Sequence, residues 1–158
     1  MVTAIHEPET VWAILEQVVD PEIPVLTIGD MGILRDVIVA DDGAVRVVVT
    51  PTYSGCPAMD LIEDEIVAAL AAAGIERVTV EMVFSPPWTT EWMSDQAKEK
   101  LQAFGIAPPG PTDGADPVRC PRCASASTRT VSEFGSTACK ALMVCEHCGE
   151  PFDRFKEI

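Results

Sequence analysis

Six cysteines carry most of the chemistry available to this sequence, and five of them lie in the last 39 residues. Four form two CxxC pairs, Cys120 with Cys123 and Cys145 with Cys148, which are separated by 21 residues. Each CxxC turn presents two thiolates to one ion, and two facing turns complete the tetrahedral shell that Zn²⁺ prefers. The spacing therefore predicts a Cys₄ zinc ribbon over residues 118–158.

The segments between these pairs, 127–133 and 140–144, are short and capable of forming strands. A module of this size has little core, so a bound metal should supply much of its folding free energy. An iron–sulfur cluster at the same cysteines is an alternative. The fifth cysteine, Cys139, is interpreted in three ways: a small buried residue, a reactive thiol beside Lys140, or an alternative ligand. His147 lies inside a CxxC turn and is expected at the surface.

The remaining cysteine, Cys56, lies in a loop between two strongly patterned segments. Residues 45–49 are rich in β-branched side chains and predict a strand, and the apolar spacing of 58–73 predicts an amphipathic helix. Pro57 suits the first helical turn, which places Cys56 at or beside the N-cap. We expect the helix dipole and free backbone N–H groups to lower the pKa of this thiol. The alternative is a small buried cysteine that fills a turn.

An acidic loop precedes the strands. A first helix is predicted over 7–19, ending where prolines follow Asp20. The proline and glycine content of 20–32 predicts a loop that contains Asp20, Glu22 and Asp30. These carboxylates form either a site or solvated turns and caps.

The predicted fold class is α/β (α+β), with a small mixed three-stranded sheet. Segments 33–39 and 45–50 flank an Asp-Gly turn and predict an antiparallel hairpin, with 45–50 central. Residues 77–84 alternate as a third strand, which the helix must join to the second in a parallel crossover. The sheet is therefore expected to combine a hairpin with a βαβ unit.

Two tryptophans follow the third strand, Trp88 and Trp92. They are interpreted as lids over one edge of the sheet, with an exposed docking surface as the alternative. A threonine at 89 or 90 can cap a further helix that extends to about Phe104. The proline- and glycine-rich stretch 107–117 predicts a linker between an assembly-type domain at 1–106 and the ribbon at 118–158.

The formal charge of −14 is unevenly distributed. Residues 118–158 have six basic and five acidic side chains, which leaves −15 on residues 1–117. Such an acidic body disfavours nucleic-acid binding. No apolar run approaches the length of a membrane span, and the N-terminal residues do not resemble a signal peptide, so a cytoplasmic protein is expected.

Taken together, these motifs resemble a known family. The segments DPEIPVLTIGDMG (20–32) and TPTYSGCP (50–57) resemble the iron–sulfur cluster assembly domain of SufT-like proteins and cytosolic iron–sulfur targeting factors. The tail FGSTACKALMVCEHCGEPFDRFK (134–156), together with WTTEWMS (88–94), is similar to one branch of that family, the PaaD components of phenylacetyl-CoA epoxidase (ring-1,2-monooxygenase) systems.

The resemblance implies an accessory protein rather than an oxygenase. It implies a maturation or delivery role for an iron–sulfur centre, with the reductase component of the oxygenase system as client. Cys56 matches the functional thiol of the family, and Asp20 and Glu22 match its acidic motif. Besides structural zinc, a transient iron–sulfur cluster is implied, for which a homodimer or a partner must supply further ligands. A structural or docking subunit of the epoxidase complex is the alternative.

Overall fold

A computed structural model describes residues 6–158 of the chain, which divides into two compact units. Unit 1 extends to Trp88 and unit 2 covers Thr89–Ile158. The compact units therefore divide before the linker expected at 107–117, and the boundaries 1–106 and 118–158 stay predictions.

Between residue 6 and Trp88, unit 1 contains three helices and three strands. They are α1 (Pro8–Leu15), α2 (Ile28–Met31), β1 (Leu34–Val39), β2 (Val45–Val49), α3 (Ala58–Ala72) and β3 (Val78–Met82). The strands form one sheet in the order β1-β2-β3. The β1/β2 pair is antiparallel and the β2/β3 pair is parallel, which confirms the predicted hairpin, crossover and central strand.

The core of unit 1 follows from the two periodicities seen in the sequence. Alternate residues of β2 are buried, and so is one face of α3, which presents Met59, Ile62, Ile66 and Leu70. Burial of each such side chain stabilises the fold by about 1.5–3 kcal/mol relative to exposure. Trp88 also belongs to this core, and its indole N–H donates to the Met31 carbonyl at 2.8 Å. The interpretation of Trp88 as a lid over the core agrees with this position.

Two local predictions in unit 1 were wrong. The helix expected over 7–19 ends at Leu15, because Val19 instead forms a β-bridge with Thr27 that closes the acidic loop. The loop expected around residues 27–32 contains α2. Its Thr27 side chain accepts from the Asp30 backbone N–H, while the Asp30 carboxylate accepts from the Thr27 N–H. This capping box stabilises a helix of a single turn.

Unit 2 contains a 3₁₀ turn, one helix and four strands. They are the turn Thr90–Trp92, α4 (Asp95–Phe104), β4 (Ile106–Ala107), β5 (Thr128–Ser132), β6 (Lys140–Cys145) and β7 (Pro151–Phe155). Ser94, rather than a threonine, caps α4, since its hydroxyl accepts from the Ala97 N–H at 3.0 Å. The helix ends at Gly105 as expected, in a left-handed conformation.

The sheet of unit 2 has the order β4-β7-β6-β5. Strands β5, β6 and β7 are antiparallel neighbours, whereas β4 pairs with β7 in parallel. The start of the expected linker is therefore part of this sheet. One apolar cluster of unit 2 is small and contains two of the ribbon cysteines: Ala107, Cys120, Met143, Cys145 and Phe152. Among residues 6–158, no helix combines the length and the apolar composition that crossing a bilayer requires.

Candidate metal centre and thiol site

The two CxxC turns of unit 2 bring four sulfur atoms together. The sulfurs of Cys120, Cys123, Cys145 and Cys148 all lie within 4.8 Å of one another. Cys120 Sγ is 3.8 Å from Cys148 Sγ, and Cys123 Sγ is 3.6 Å from Cys145 Sγ. Metal–sulfur bonds of ~2.3 Å in a tetrahedron give sulfur–sulfur edges of roughly 3.8 Å. The four-cysteine cluster therefore fits a structural zinc ion.

Tight turns place these thiols. In the first, the Ala124 N–H donates to the Cys120 carbonyl at 2.9 Å. In the second, the Gly149 N–H donates to the Cys145 carbonyl at 2.9 Å. Gly149 has a φ of 78°, which a residue without a Cβ adopts without strain.

Two of the four thiols, Cys145 and Cys123, have pKa values shifted in opposite directions. Backbone N–H groups, that of Cys148 above all, stabilise the Cys145 thiolate and lower its pKa to about 6. At Cys123 the Ser125 N–H acts in the same direction, but desolvation and the neighbouring sulfurs raise the pKa to about 12. A divalent cation removes this conflict because it favours the thiolate at every ligand.

The side chains of Cys139 and His147 do not belong to this four-sulfur group. Among the residues that the structure describes, the group able to hold a metal consists of the four CxxC cysteines. Cys139 is buried, with its sulfur 3.0 Å from the Thr137 hydroxyl. His147 is exposed, as expected.

Cys56 occupies a different environment, in the loop that joins β2 to α3. Pro57 is the N-cap of α3, so Cys56 lies beside it as predicted. The Cys56 N–H donates to the Tyr53 carbonyl at 3.3 Å, and its own carbonyl accepts from Met59 at 3.2 Å. Gly55 allows the turn because its φ is 79°. The Cys56 side chain is half-buried, so it is neither sealed in the core nor fully solvated.

The expected lowering of the Cys56 pKa was wrong. Desolvation by burial is the largest cause and raises the pKa. The Ala58 N–H and the Tyr53 hydroxyl donate to the sulfur and oppose this effect, while the nearby charges of Glu22 and Asp20 reinforce it. The thiol is therefore protonated at neutral pH.

The acidic loop thus lies close enough to Cys56 to act on its charge. The two carboxylates differ in their surroundings. Asp20 is buried, and its Oδ1 accepts from the N–H groups of Glu22 at 2.7 Å and Ile23 at 3.0 Å. Glu22 is half-buried. Asp30 acts as a helix cap, which agrees with one of the two interpretations of the loop carboxylates. The fold therefore places Asp20 and Glu22 within electrostatic reach of Cys56, which lies more than thirty positions later in the sequence.

Tyr53 was missed as a site residue. It is the only tyrosine in the sequence and lies three positions before Cys56, where a turn returns its side chain to the sulfur. This closeness to Cys56 in the sequence was the signal that could have identified Tyr53 as a site residue.

Two families match the chain along its length. The family described as "Iron-sulfur cluster assembly protein" matches residues 8–82, and the PaaD zinc beta ribbon domain matches residues 107–156. The first match covers the Cys56 loop, and the second covers all four CxxC cysteines.

Individual relatives agree with this division. A protein of Escherichia coli (strain K12), whose name describes a proposed subunit of 1,2-phenylacetyl-CoA epoxidase, is 50% identical over 96% of this chain and 92% of its own length. The "Fe-S protein maturation auxiliary factor YitW" of Bacillus subtilis (strain 168) is 41% identical over 59% of this chain and 91% of its own. A solved DUF59 domain from Bacillus anthracis, 31% identical, covers 60% of this chain and 90% of its own with a TM-score of 0.56. The chain therefore belongs to the PaaD family, with an iron–sulfur cluster assembly domain followed by a PaaD zinc ribbon.

Proposed function

We propose that this protein is an accessory factor that delivers iron, as an iron–sulfur cluster, to the reductase component of a phenylacetyl-CoA oxygenase system. Cys56 is the transfer thiol in this proposal, and the four ribbon cysteines hold zinc permanently. The observation that carries it is the contrast between a closed four-sulfur cluster and one half-buried thiol beside carboxylates. The names of the maturation-factor relatives support the same class of function.

The chemistry of Cys56 suits temporary binding. The resting thiol loses its proton to solvent when an iron of the incoming cluster bonds to the sulfur, and the positive iron offsets the repulsion from Asp20 and Glu22. The Tyr53 hydroxyl and the Ala58 N–H hold the sulfur in place. When a client thiolate replaces Cys56 on the iron, the sulfur takes up a proton again. A single thiolate cannot complete a cluster, so the client or a second copy of this chain supplies the other ligands.

In this proposal the protein is not an enzyme and acts in the cytoplasm. The sequence has two histidines, His6 and His147, and no Ser/His/Asp set or phosphate-binding glycine loop, which disfavours conventional acid–base catalysis.

A structural subunit of the epoxidase complex is the second candidate, favoured by the name of the Escherichia coli relative. In that case the ribbon acts in docking, and the protein remains in stoichiometric association with the oxygenase. Its absence from the purified, active oxygenase complex would support the maturation role.

The experiment is cluster transfer from anaerobically reconstituted protein to the apo form of the reductase component, followed by visible absorption of the reductase. Cys56→Ser should abolish transfer while zinc content and circular dichroism stay unchanged. Cys139→Ser is the matched control, since it also removes one thiol and should transfer normally. Undiminished transfer by Cys56→Ser would refute the proposed role.

A further inference from the structure

Two exposed apolar side chains lie at the end of the unit 1 sheet where β2 leads into the loop that contains Cys56. Met82 and Phe84 are 36% and 59% exposed. Met82 is paired with Val49, and the Val83 N–H donates to the Val49 carbonyl at 2.9 Å. Because β2 and β3 are parallel, the chain leaves both strands at the same edge of the sheet. Phe84 therefore flanks the beginning of the loop 50–57.

The alternation of side chains along a strand also determines the face of the sheet on which Met82 lies. Residues paired in register point to the same side of a sheet, so Met82 belongs to the row of Val49 on the buried face. Phe84, two residues later, lies past the end of β3 and is the more exposed of the two. Helix α3 begins at this edge, directly after Cys56 and Pro57. The exposed phenylalanine and the thiol thus share one end of unit 1.

The charge at this end of the sheet is mostly negative, although β1 also begins here, opposite Val49, and carries Arg35 beside Asp36. The segments 20–27, 50–57 and 83–88 contain the two carboxylates that act on Cys56 and no lysine or arginine. Over residues 6–88 there are fifteen acidic and three basic side chains, a net charge of −12. A second copy would bring two such units together, which electrostatic repulsion disfavours, whereas a basic surface is attracted.

The segment that carries Phe84 is also anchored. Two prolines follow it at 86 and 87, and the next residue, Trp88, is buried with its indole N–H bonded to the Met31 carbonyl at 2.8 Å. Prolines and a buried anchor limit the conformational entropy that docking would remove.

We propose that Met82 and Phe84, with the carboxylates around Cys56, form the docking surface for the client protein, which presents an apolar contact surrounded by basic side chains. This inference rests on the proposed function and identifies where the client binds. Phe84 fills an apolar depression of the client, the carboxylates attract its basic rim, and the complex holds Cys56 against the incoming thiolates.

The test compares Phe84→Ser with Phe104→Ser in the full-length protein. Phe104 is a matched control, since it is 58% exposed and lies in unit 2. The probe is the apo form of the reductase component, and its affinity is measured by calorimetry at low and high salt. Phe84→Ser should weaken binding by about tenfold or more, Phe104→Ser should leave it unchanged, and high salt should weaken the wild-type interaction.

Anaerobic cluster loading of the same variants separates this proposal from the proposed function. Phe84→Ser should load like wild type, because Cys56 is intact. Equal reductase affinities of Phe84→Ser and Phe104→Ser would overturn the docking surface, as would wild-type affinity that does not change with salt. Loss of a dimer on Phe84→Ser substitution would assign the surface to a second copy instead. Unimpaired loading of Cys56→Ser would overturn the transfer role without bearing on docking.

Discussion

The two sulfur sites of this chain differ in what surrounds each thiol. In unit 2, four sulfurs lie within 4.8 Å of one another, and without a cation the pKa of Cys123 is raised while that of Cys145 is lowered. In unit 1, one half-buried sulfur faces two hydrogen-bond donors and two carboxylates. The same side chain is therefore used once to retain a metal and once under conditions that favour its protonated form.

In the proposed function, ligand count and local charge together determine how long a metal stays at each site. Four thiolates close the shell of a tetrahedral ion and leave no position for exchange. One thiol leaves most of the shell of an iron atom open, and the carboxylates beside it disfavour the thiolate when the metal is absent. The proposal therefore assigns permanent zinc binding to the ribbon and temporary iron binding to Cys56 in the same chain.

The largest effect should come from the four-sulfur cluster. Cys145→Ser removes a zinc ligand, and structural zinc contributes on the order of 10 kcal/mol to the folding of small modules. We expect zinc to be lost and hydrogen exchange to accelerate across residues 118–158, measured by metal analysis and mass spectrometry. Cys139→Ser should keep both zinc and protection. Retained zinc in Cys145→Ser would show that Cys145 is not a required ligand, and unchanged exchange after loss of zinc would show that the ribbon folds without its metal.

Unit 1 should instead depend on packing. Ile66 is fully buried on α3, so Ile66→Ala should lower the free energy of unfolding by about 2–5 kcal/mol while zinc content stays unchanged. Val67→Ala on the same helix is the control, because Val67 is 42% exposed and should cost less than about 0.5 kcal/mol. Chemical denaturation followed by circular dichroism measures both. A loss of zinc in Ile66→Ala would contradict the division of the two sites.

The smallest effect concerns the charge around Cys56. Burial keeps the folded-state pKa of Cys56 above its ordinary value. The charges of Glu22 and Asp20 act in the same direction. The neutral thiol therefore contributes stability below the ordinary pKa, and this contribution is lost as pH rises through the folded pKa. Glu22→Gln should lower the pKa and speed alkylation of Cys56 by iodoacetamide at pH 8.

Site-resolved mass spectrometry of the alkylation, repeated over a range of pH, gives the apparent pKa directly. Glu65→Gln is the matched control, since it removes an exposed carboxylate of α3 that is not among the causes of the Cys56 shift. A Glu22→Gln profile that coincides with wild type would show that this carboxylate does not act on the thiol.

Features fixed by neighbouring residues could be predicted from the sequence. The CxxC spacing predicted the four-sulfur cluster, the Asp-Gly turn predicted the β1/β2 hairpin, and the apolar period predicted α3 to within one residue. The first helix is shorter than predicted, because a bridge between Val19 and Thr27 competes with its last turn. Short-range patterns do not reveal such pairing.

Features that depend on distant residues could not be predicted. The sign of the Cys56 pKa shift depends on burial and on carboxylates more than thirty positions earlier in the chain, whereas the helix terminus alone suggested the opposite sign. Ala107 of the two-residue strand β4 was assigned to a linker because the pairing of β4 with β7 involves residues nearly fifty positions away.

Metal analysis of anaerobically reconstituted wild type, Cys56→Ser and Cys139→Ser tests the division between the two sulfur sites most directly. Zinc should be equal in all three proteins, since each retains the four CxxC cysteines. Iron and its visible absorption should be lost in Cys56→Ser and retained in Cys139→Ser. Iron uptake by Cys56→Ser at the wild-type level, or iron that replaces zinc in the ribbon, would contradict the assignment of Cys56 as the thiol that carries iron.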